Sequence, residues 1–390
     1  DWELCKLGTL AEIVRGASPR PIQDSKWFDN TSDVGWLRIS DVTEQNGRIY
    51  KLEQKLSKAG QEKTRVLRKP HLLLSIAATV GKPVVNYVNT GVHDGFLIFL
   101  NPLFDREFMF QWLEMFTSKW QKYGQPGSQV NLNSELVRNQ ELRIPSTNEQ
   151  EKIGTLFKQL DDTITLHQRK LDQLKELKTA YLQVIFPVKD ERVPKLRFAD
   201  FEEEWELCKL GDLANIVGGG TPNTNNPKCW DGNIDWYAPA EIKEKIYVTG
   251  SKKRITELGL QKSSAKVLPI GTVLFTSRAG IGNTAILAKK GTTNQGFQSI
   301  IPNKNKLDTY FIFSRTHELK KYGEAVGAGS TFVEVSGKQM AKMPMLTPRF
   351  NEQQAIGMFF KKIDDIITLH QNKLEQLKDL KTSYLQNMFI

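Results

Sequence analysis

The stretch WELCKLGTLAEIV at residues 2–14 recurs as WELCKLGDLANIV at residues 205–217, with 11 of 13 positions identical at an offset of 203. A longer stretch, residues 148–186, recurs as residues 351–389 at the same offset, with 26 of 39 positions identical. A repeat of this kind decides the architecture before any local pattern is considered. The chain of 390 residues therefore contains one unit written twice.

The segments between the matched stretches have equal length but diverge strongly. We call residues 15–147 the first head and residues 218–350 the second head; they share only landmarks such as Trp36 with Trp236. Two variable heads in one constant framework indicate two different targets read by one protein. The predicted domain boundaries are a first globular domain at 1–147, a first helix at 148–187, a linker at 188–204, a second globular domain at 205–350 and a second helix at 351–390.

The second copy of the repeat is preceded by the segment VPKLRFADFEEE at residues 193–204, whereas only Asp1 precedes the first copy. From this difference we expect roughly a dozen residues, similar to that segment, to precede the sequence given.

The repeated segments at 148–187 and 351–390 have the pattern of long helices. Apolar residues are spaced alternately by three and four positions, which is typical of a coiled-coil seam. Asn148 and Asn351 are predicted to cap the two helices. Because both seams are alike, we expect the helices to pair antiparallel and to hold the heads at opposite ends. His167 and His370 fall on the seams, where a packed imidazole, a pH switch and a metal site are all compatible with the pattern.

The composition excludes several classes of protein. No apolar run approaches the roughly 18 residues that a membrane span needs, so we expect no membrane association. Three cysteines are present, and none forms a C-x-x-C pair, which speaks against a disulfide framework or a structural zinc site. A reduced, cytoplasmic setting is the prediction.

The positive charge is concentrated in the heads. The net charge of the chain is +10, and the first and second heads carry +5 and +10 respectively, while the predicted helices are neutral and the remaining segments are acidic. Two basic heads on a neutral framework are the electrostatic pattern expected of a protein that binds the phosphates of double-stranded DNA at two places.

Each head is predicted to be an α+β domain. Short apolar runs bounded by Gly, Pro and Asn, such as 71–76, 96–100, 273–276 and 298–301, indicate strands. Helices are predicted near 105–123 and 308–322. The overall prediction is an α+β protein whose two globular heads are separated by two long antiparallel coiled-coil helices, with an internal pseudo-two-fold repeat.

Loops in both heads carry the residue types that read base edges or bind phosphates, although the same types are also common in turns. In the first head the candidate DNA-binding residues are Arg15, Ser18, Arg20, Ser75, Thr79, Lys82, Ser128, Gln129, Asn131 and Asn133. In the second head they are Thr221, Asn223, Asn225, Lys243, Lys252, Lys253, Arg254, Ser277, Arg278, Asn283, Gln295, Ser330 and Thr331.

The sequence contains no recognisable catalytic centre. It has no adenine-methyltransferase motif and no glycine-rich fingerprint for a nucleotide cofactor. Asp231, Glu241 and Lys243 have a nuclease-like spacing, but such triplets are common and the first head offers only Asp41 at the matching place. We therefore predict a non-catalytic recognition protein that has neither a metal nor a cofactor of its own.

In combination, these motifs resemble those of the specificity subunit of type I restriction-modification systems. The residues that carry the resemblance are V-P-x-L-R-F-x-x-F-x-x-x-W-E at 193–206, W-E-x-x-x-L-G-x-L-A at 2–11 and 205–214, and D-D-x-I-T-x-H-Q at 161–168 and 364–371. The resemblance covers almost the whole chain. It implies two target recognition domains that each read one half of a split, asymmetric DNA site.

The resemblance also implies partners. The helices would dock two modification subunits, which bind S-adenosylmethionine and methylate adenine, and restriction subunits with translocase activity would join them. A stand-alone bivalent architectural or regulatory DNA-binding protein is the alternative from another class, and a nuclease or methyltransferase acting alone is a third. Capture of a methyltransferase partner would favour the first of these functions, and activity of the pure chain would favour the third.

Overall fold

The computed structural model describes residues 2–77, 79–120, 122, 132–188, 190–243, 245–278, 280–327 and 334–389. The chain forms two compact units. Unit 1 comprises Asp1–Arg169 together with Asn372–Ile390, and unit 2 comprises Lys170–Gln371. Each unit therefore contains one head and a segment of each long helix.

In unit 1, the described residues form ten strands and five short or medium helices. The strands are β1 (Glu3–Lys6), β2 (Glu12–Arg15), β3 (Gly35–Leu37), β4 (Arg48–Ile49), β5 (Arg65–Leu67), β6 (Leu72–Ser75), β7 (Pro83–Asn86), β8 (Thr90–Val92), β9 (Phe96–Leu100) and β10 (Glu141–Ile144). The helices are α1 (Leu7–Leu10), α2 (Ile39–Glu44), α3 (Lys58–Glu62), α4 (Arg106–Trp120) and α5 (Ser134–Arg138).

Unit 2 has a similar succession of elements in its described part. Its strands are β11 (Glu206–Lys209), β12 (Ala214–Gly218), β13 (Trp230–Tyr237), β14 (Tyr247–Val248), β15 (Lys253–Ile255), β16 (Val273–Phe275), β17 (Thr284–Leu287), β18 (Thr292–Thr293), β19 (Gln298–Pro302) and β20 (Pro344–Thr347). Its helices are α7 (Leu210–Leu213), α8 (Glu257–Gln261), α9 (Thr309–Ser314), α10 (Thr316–Gly327) and α11 (Gly337–Ala341). The two long helices are α6 (Thr147–Val184) and α12 (Phe350–Met388).

The five-stranded and two-stranded sheets have the same strand order in both units, whereas the three-stranded sheets differ in which strand is central. A five-stranded sheet has the order β2-β9-β6-β7-β4 in unit 1 and β12-β19-β16-β17-β14 in unit 2. A three-stranded sheet follows, β3-β8-β5 and β15-β13-β18, and a two-stranded ribbon pairs β1 with β10 and β11 with β20. The predicted α+β class with an internal repeat is confirmed, and the heads keep the same five-stranded sheet despite their strong divergence.

Both faces of the central strands are buried, which explains why these strands are continuous apolar runs rather than alternating ones. In β6, Leu72 and Leu74 pack into the cluster that contains α4, whereas Leu73 packs into a second cluster on the opposite face. Because side chains alternate along a strand, successive leucines serve two different cores.

Within unit 1, the segments of α6 and α12 run antiparallel. Phe157 of α6 packs on Phe389, which follows α12, with ring centroids 5.9 Å apart. One turn further along α6, Asp161 forms an ion pair of 2.6 Å with Lys381, which lies about two helical turns before Phe389. Residues later in α6 thus contact residues earlier in the second copy, so the two helices run in opposite directions.

Unit 2 contains the repeat-equivalent contacts. Phe186 stacks on Phe360 with centroids 5.9 Å apart, and Lys178 pairs with Asp364 at 2.6 Å. Seam positions 178 and 381 are therefore occupied by lysine because each lysine has a carboxylate to neutralise on the facing helix.

The prediction that Asn148 and Asn351 cap the two long helices is wrong. The helices begin at Thr147 and Phe350, so Asn148 and Asn351 lie inside the first turn. The amide of the next-but-one residue fixes each helix start instead. Gln150 accepts from the backbone N–H of Asp105 (2.9 Å), and its own amide donates to a backbone carbonyl five residues earlier in the chain (2.8 Å).

Candidate DNA interface

In the first head, three of the predicted residues converge on Asp94. Ser18 donates to Asp94 Oδ1 (2.8 Å) and accepts from the Asp94 backbone N–H (3.2 Å). Arg15, at the end of β2, donates from Nε to the Asp94 carbonyl (2.6 Å), and Arg20 lies 3.4 Å from Oδ2. The Ser18 hydrogen bond is the main reason that the pKa of Asp94 lies below its ordinary value. The loop thus presents two exposed arginines on a fixed base.

The second head uses the same brace with different chemistry. Thr221 occupies the position of Ser18 in the repeat, and its hydroxyl donates to the side-chain oxygen of Gln295 in the loop that corresponds to Asp94. Gln295 is exposed. A carboxylate beside arginines in one head is therefore replaced by a neutral amide in the other, so the two loops present different donors and acceptors at equivalent places.

In both heads, the residue just before Asp94 or Gln295 caps the turn that follows β8 or β18. His93 Nδ1 accepts from the N–H of Gly95 (2.8 Å), and Asn294 Oδ1 accepts from the N–H of Gly296 (2.8 Å). Burial lowers the pKa of His93, and this effect outweighs the opposing influence of the nearby Asp94 carboxylate. The neutral ring is the form that can accept this hydrogen bond.

Two of the predicted DNA contacts, near the ends of β6 and β16, are buried. Ser75 and Ser277 have no exposed surface. The hydroxyl of Ser75 donates to a backbone carbonyl two residues on (3.0 Å). A buried side chain cannot touch a DNA base from this conformation, so the predictions for these two serines as contacts are wrong.

The neighbours of these serines remain accessible. Thr79, Lys82, Arg278 and Asn283 are half-buried. Arg278 lies 3.9 Å from Glu334, with more than a third of its side chain exposed. These residues stay candidate contacts in the turns of both heads.

The asparagine-rich loop after β12 is folded by its own side chains. Asn223 Oδ1 accepts from the N–H of Asn225 (2.9 Å), and the Asn223 carbonyl accepts from Trp230 Nε1 (3.1 Å). Such a turn is the local structure that asparagine favours. The Asn223 side-chain N–H₂ group and the exposed Asn225 face outward with a defined geometry.

The basic segment 252–254 is held by two acids, Asp235 and Glu241, that the sequence analysis did not connect with it. Glu241 accepts from the backbone N–H of Lys252 (2.6 Å). Asp235, whose side chain is 1% exposed, lies 3.4 Å from Arg254 and 3.6 Å from Lys289. The acids fix the segment while its cationic ends stay exposed.

Lys253 and Lys243 complete this basic surface. Lys253 Nζ lies 5.7 Å from the ring centroid of Trp230, a cation–π distance, and Lys243 is exposed. Glu241 is engaged with backbone N–H groups through both carboxylate oxygens, including that of Ala238 (3.0 Å). It therefore has a structural role, which leaves the nuclease-like spacing without support from geometry.

Several predictions cannot be placed. Asn133 is exposed and accepts from the N–H of Leu136 (2.8 Å), so it caps α5. The remaining candidates lie outside the described residues; they are Ser128, Gln129, Asn131, Ser330 and Thr331.

Asp94 and Asp235 escaped the sequence prediction, and Glu241 entered it only through the nuclease-like spacing, because a basic surface does not by itself indicate the acids that hold its loops. One signal was present in the sequence: the side chains at positions 18 and 221 both carry a hydroxyl group. Each is followed, at a similar distance along the chain, by a polar residue directly before a Gly-Phe pair. Among the described residues, no group of three or more His, Cys, Asp or Glu side chains could hold a metal ion. Nor does any described helix have the length and apolarity needed to cross a bilayer.

The repeat, the paired heads and the braced loops agree with the comparison to known families. The model of the type I restriction modification DNA specificity domain matches residues 1–176 and 202–379. The chain belongs to this family. The two matched segments correspond to the two copies of the repeat.

Relatives include the type I restriction enzyme MjaIX specificity subunit of Methanocaldococcus jannaschii, 33% identical over 191 residues, covering 48% of this chain and 44% of the relative. The EcoR124I/EcoR124II specificity subunit of Escherichia coli is 28% identical over 208 residues, covering 48% and 50% respectively. The chain spans about half the length of these curated relatives.

Solved structures share the fold. The S subunit of a type I restriction-modification system from M. genitalium superposes with a TM-score of 0.68 at 13% identity, covering 100% of this chain and 96% of the other. A chain from a study of complex assembly and conformational transition of the type I R-M system gives 0.52 at 17% identity, covering 99% and 96%.

Proposed function

We propose that this chain is the DNA sequence-specificity subunit of a type I restriction-modification complex, in which each head reads one half of a bipartite, asymmetric site on double-stranded DNA. One observation carries the proposal. The two heads share the strand order of the five-stranded sheet and the same loop brace, but Ser18–Asp94 in one is Thr221–Gln295 in the other. Equal scaffolds with unequal loop chemistry are what reading two different sequences requires.

The charge distribution supports binding to the DNA backbone beside these loops. Lys252 and Lys253 are exposed, and the second head has the greater positive charge. If several phosphates are neutralised, log affinity falls linearly with log salt, by about 0.9 per phosphate on duplex DNA. Replacing Lys252, Lys253 and Arg254 together should weaken binding to all duplexes alike and reduce that slope.

We propose further that α6 and α12 space the heads and dock two modification subunits, with restriction subunits joining them in a cytoplasmic complex. S-adenosylmethionine would then bind to the modification subunits, and this chain would itself be non-catalytic. The non-catalytic role is supported by the acids of the candidate interface. Asp94, Asp235 and Glu241 are all engaged in structural hydrogen bonds or ion pairs.

Three measurements test the proposal. Isothermal titration of the pure chain with S-adenosylmethionine should give no heat of binding, and incubation with duplex DNA should give neither methylation nor cleavage. Co-expression with the modification subunit of the same system should yield a complex of one chain with two such subunits. Stoichiometric cofactor binding to the pure chain would refute non-catalytic recognition. Failure to form the complex, with sequence-specific binding retained, would favour a stand-alone bivalent DNA-binding protein.

A further inference from the structure

The linker that precedes the second copy of the repeat is docked on the long helices of unit 2. Arg197 donates from Nε and Nη2 to the two oxygens of Glu352, at 2.8 and 2.7 Å. The Glu352 side chain is 2% exposed and that of Arg197 is 12% exposed. A bidentate arginine–carboxylate pair removed from water to this degree is among the strongest polar contacts in proteins.

Two contacts flank this ion pair and give the linker its register. The N–H of Leu196 donates to the carbonyl of Val184 at the end of α6 (2.9 Å). The ring of Phe198 packs edge-on against Phe359, with centroids 5.9 Å apart. Three successive residues of the linker thus supply an apolar chain with a backbone donor, a cation and an aromatic ring.

Unit 1 contains a second copy of the surface that receives them. At the offset of 203, Glu352 corresponds to Glu149, Phe359 to Leu156, and residues 181 and 184 to Tyr384 and Asn387. We call Glu149, Leu156, Tyr384 and Asn387 the Glu149 surface. All four residues are exposed, Leu156 by 40% and Tyr384 by 37%.

The tryptophan next to this surface is also less buried in unit 1 than its equivalent in unit 2. Trp205 is completely buried, whereas its equivalent Trp2 is half-buried and donates from Nε1 to Glu149 (3.2 Å). No basic side chain among the described residues is paired with Glu149. The acid therefore retains capacity for a bidentate cation, since a carboxylate accepts at about four lone-pair sites.

We propose that the Glu149 surface is a peptide-docking site that takes an extended segment presenting an apolar residue, an arginine and a phenylalanine in succession, the chemistry of Leu196-Arg197-Phe198. The arginine pairs with Glu149, the aromatic ring packs on Leu156 and Tyr384, and the backbone N–H of the apolar residue donates to the carbonyl of Asn387, the repeat-equivalent of Val184. This site is distinct from the DNA interface and does not depend on the function proposed above.

The test uses the full chain and a fluorescently labelled peptide with the sequence of residues 193–204. Fluorescence anisotropy should show saturable binding of one peptide per chain. The Glu149→Gln variant should bind at least about tenfold more weakly, as should the wild-type chain with an Arg197→Gln peptide, because each change removes one partner of a charged, bidentate contact. Glu151→Gln, an exposed acid on the same turn of α6, is the matched control and should bind normally.

A charge reversal separates docking at Glu149 from exchange with the linker in unit 2. The Glu149→Arg variant should lose the natural peptide and regain binding to a peptide that carries Arg197→Glu. Absence of saturable binding up to about 1 mM peptide, a limit that corresponds to only about 4 kcal/mol of binding free energy, would overturn the proposal. Equal binding by the wild type and the Glu149→Gln variant would overturn it as well, because the peptide would then occupy another surface.

Discussion

The Nδ1 atom of His93 and the Oδ1 atom of Asn294 occupy equivalent places and accept the same backbone hydrogen bond at 2.8 Å. The two side chains differ in one respect, since only the imidazole can be protonated near neutral pH. A protonated ring has no acceptor at Nδ1, so the turn would lose its cap. The repeat therefore supplies its own pH-insensitive version of the cap.

The stability of unit 1 should fall on mild acidification, and His93→Asn should remove part of that fall. Burial lowers the pKa of His93, so its contribution is complete above the ordinary value of about 6.5 and is lost as pH falls through the depressed one. Urea unfolding at about pH 7.5 and about pH 5.5 measures this. Asp94, whose pKa is also lowered, titrates below this window. An equal pH dependence in the variant would show that His93 does not control it.

Base contacts should be confined to one half-site each. Arg20→Ala should relax discrimination in the half-site of the first head, and Asn223→Ala in that of the second head, by roughly 1–3 kcal/mol for a true base contact. Competition binding with duplexes altered in one half-site at a time is the measurement. Arg143, exposed on β10, provides a control substitution with no expected effect on specificity. Loss of discrimination at both half-sites in either variant would contradict the assignment.

At this scale, residue type predicted accessible arginines and asparagines but not which hydroxyls are buried. Ser75 and Ser277 follow apolar strands, and a sequence does not reveal that the sheet still covers the next residue. Asp94 was missed for a related reason: its role depends on a loop 76 residues away in the chain that only the fold brings to it.

Among the elements, an ion pair between described residues joins the two long helices in each unit. Asp364 is 5% exposed and is paired with Lys178 at 2.6 Å, while Tyr310 donates to its second oxygen (2.8 Å). In unit 1, Asp161 and Lys381 form the equivalent pair. These contacts fix the antiparallel register, because an apolar seam alone tolerates sliding by a heptad.

Breaking one pair should cost far more than breaking an exposed one. Lys178→Met leaves the Asp364 carboxylate buried without a counter-ion and should lower the free energy of unfolding of unit 2 by about 3–5 kcal/mol. The double variant Lys178→Met with Asp364→Asn should recover most of this loss. Urea unfolding measures both variants.

The control for this pair is Lys158, which forms an exposed i,i+4 pair with Asp162 on the same helix. Lys158→Ala should cost no more than about 0.5 kcal/mol. Similar losses for Lys178→Met and Lys158→Ala would show that the buried pair does not determine the packing of the helices.

The long helices were predictable because their apolar pattern is long and periodic, and most central strands because each is a short continuous apolar run bounded by turn residues. The predicted run 96–100 matches β9. The helix predicted at 308–322 is instead two helices that meet at Arg315, whose side chain is buried between Phe186 and Phe311. The sequence pattern does not reveal this break, because it depends on packing against the residues that follow α6.

At the scale of the molecule, each unit is completed by the end of a long helix from the other copy. Phe389 packs against Trp2, Phe108 and Phe157 in unit 1, with centroids 5.3–6.4 Å apart. The repeat-equivalent of Phe389 is Phe186, which makes the corresponding contacts in unit 2. The repeat therefore makes the two helix ends candidates for exchange.

A fragment of residues 1–187 should form a symmetric homodimer. It retains the first head and α6 but lacks residues 372–390, and leaving Phe157 and the Leu160 and Leu171 side chains in water would cost on the order of 1.5–3 kcal/mol each. Phe186 of a second copy can cover the place of Phe389 in a two-fold arrangement. Analytical ultracentrifugation at micromolar concentration measures this. A monomer would show that the two helix ends are not interchangeable.

Selection of bound duplexes from a random pool by the intact chain tests most directly the claim that two unlike heads read two unlike half-sites. The account predicts two different short motifs separated by a fixed number of unspecified base pairs. The same selection with the dimer of residues 1–187 should return an interrupted palindrome of one of these motifs. A single continuous motif, or two identical motifs with the intact chain, would contradict the account.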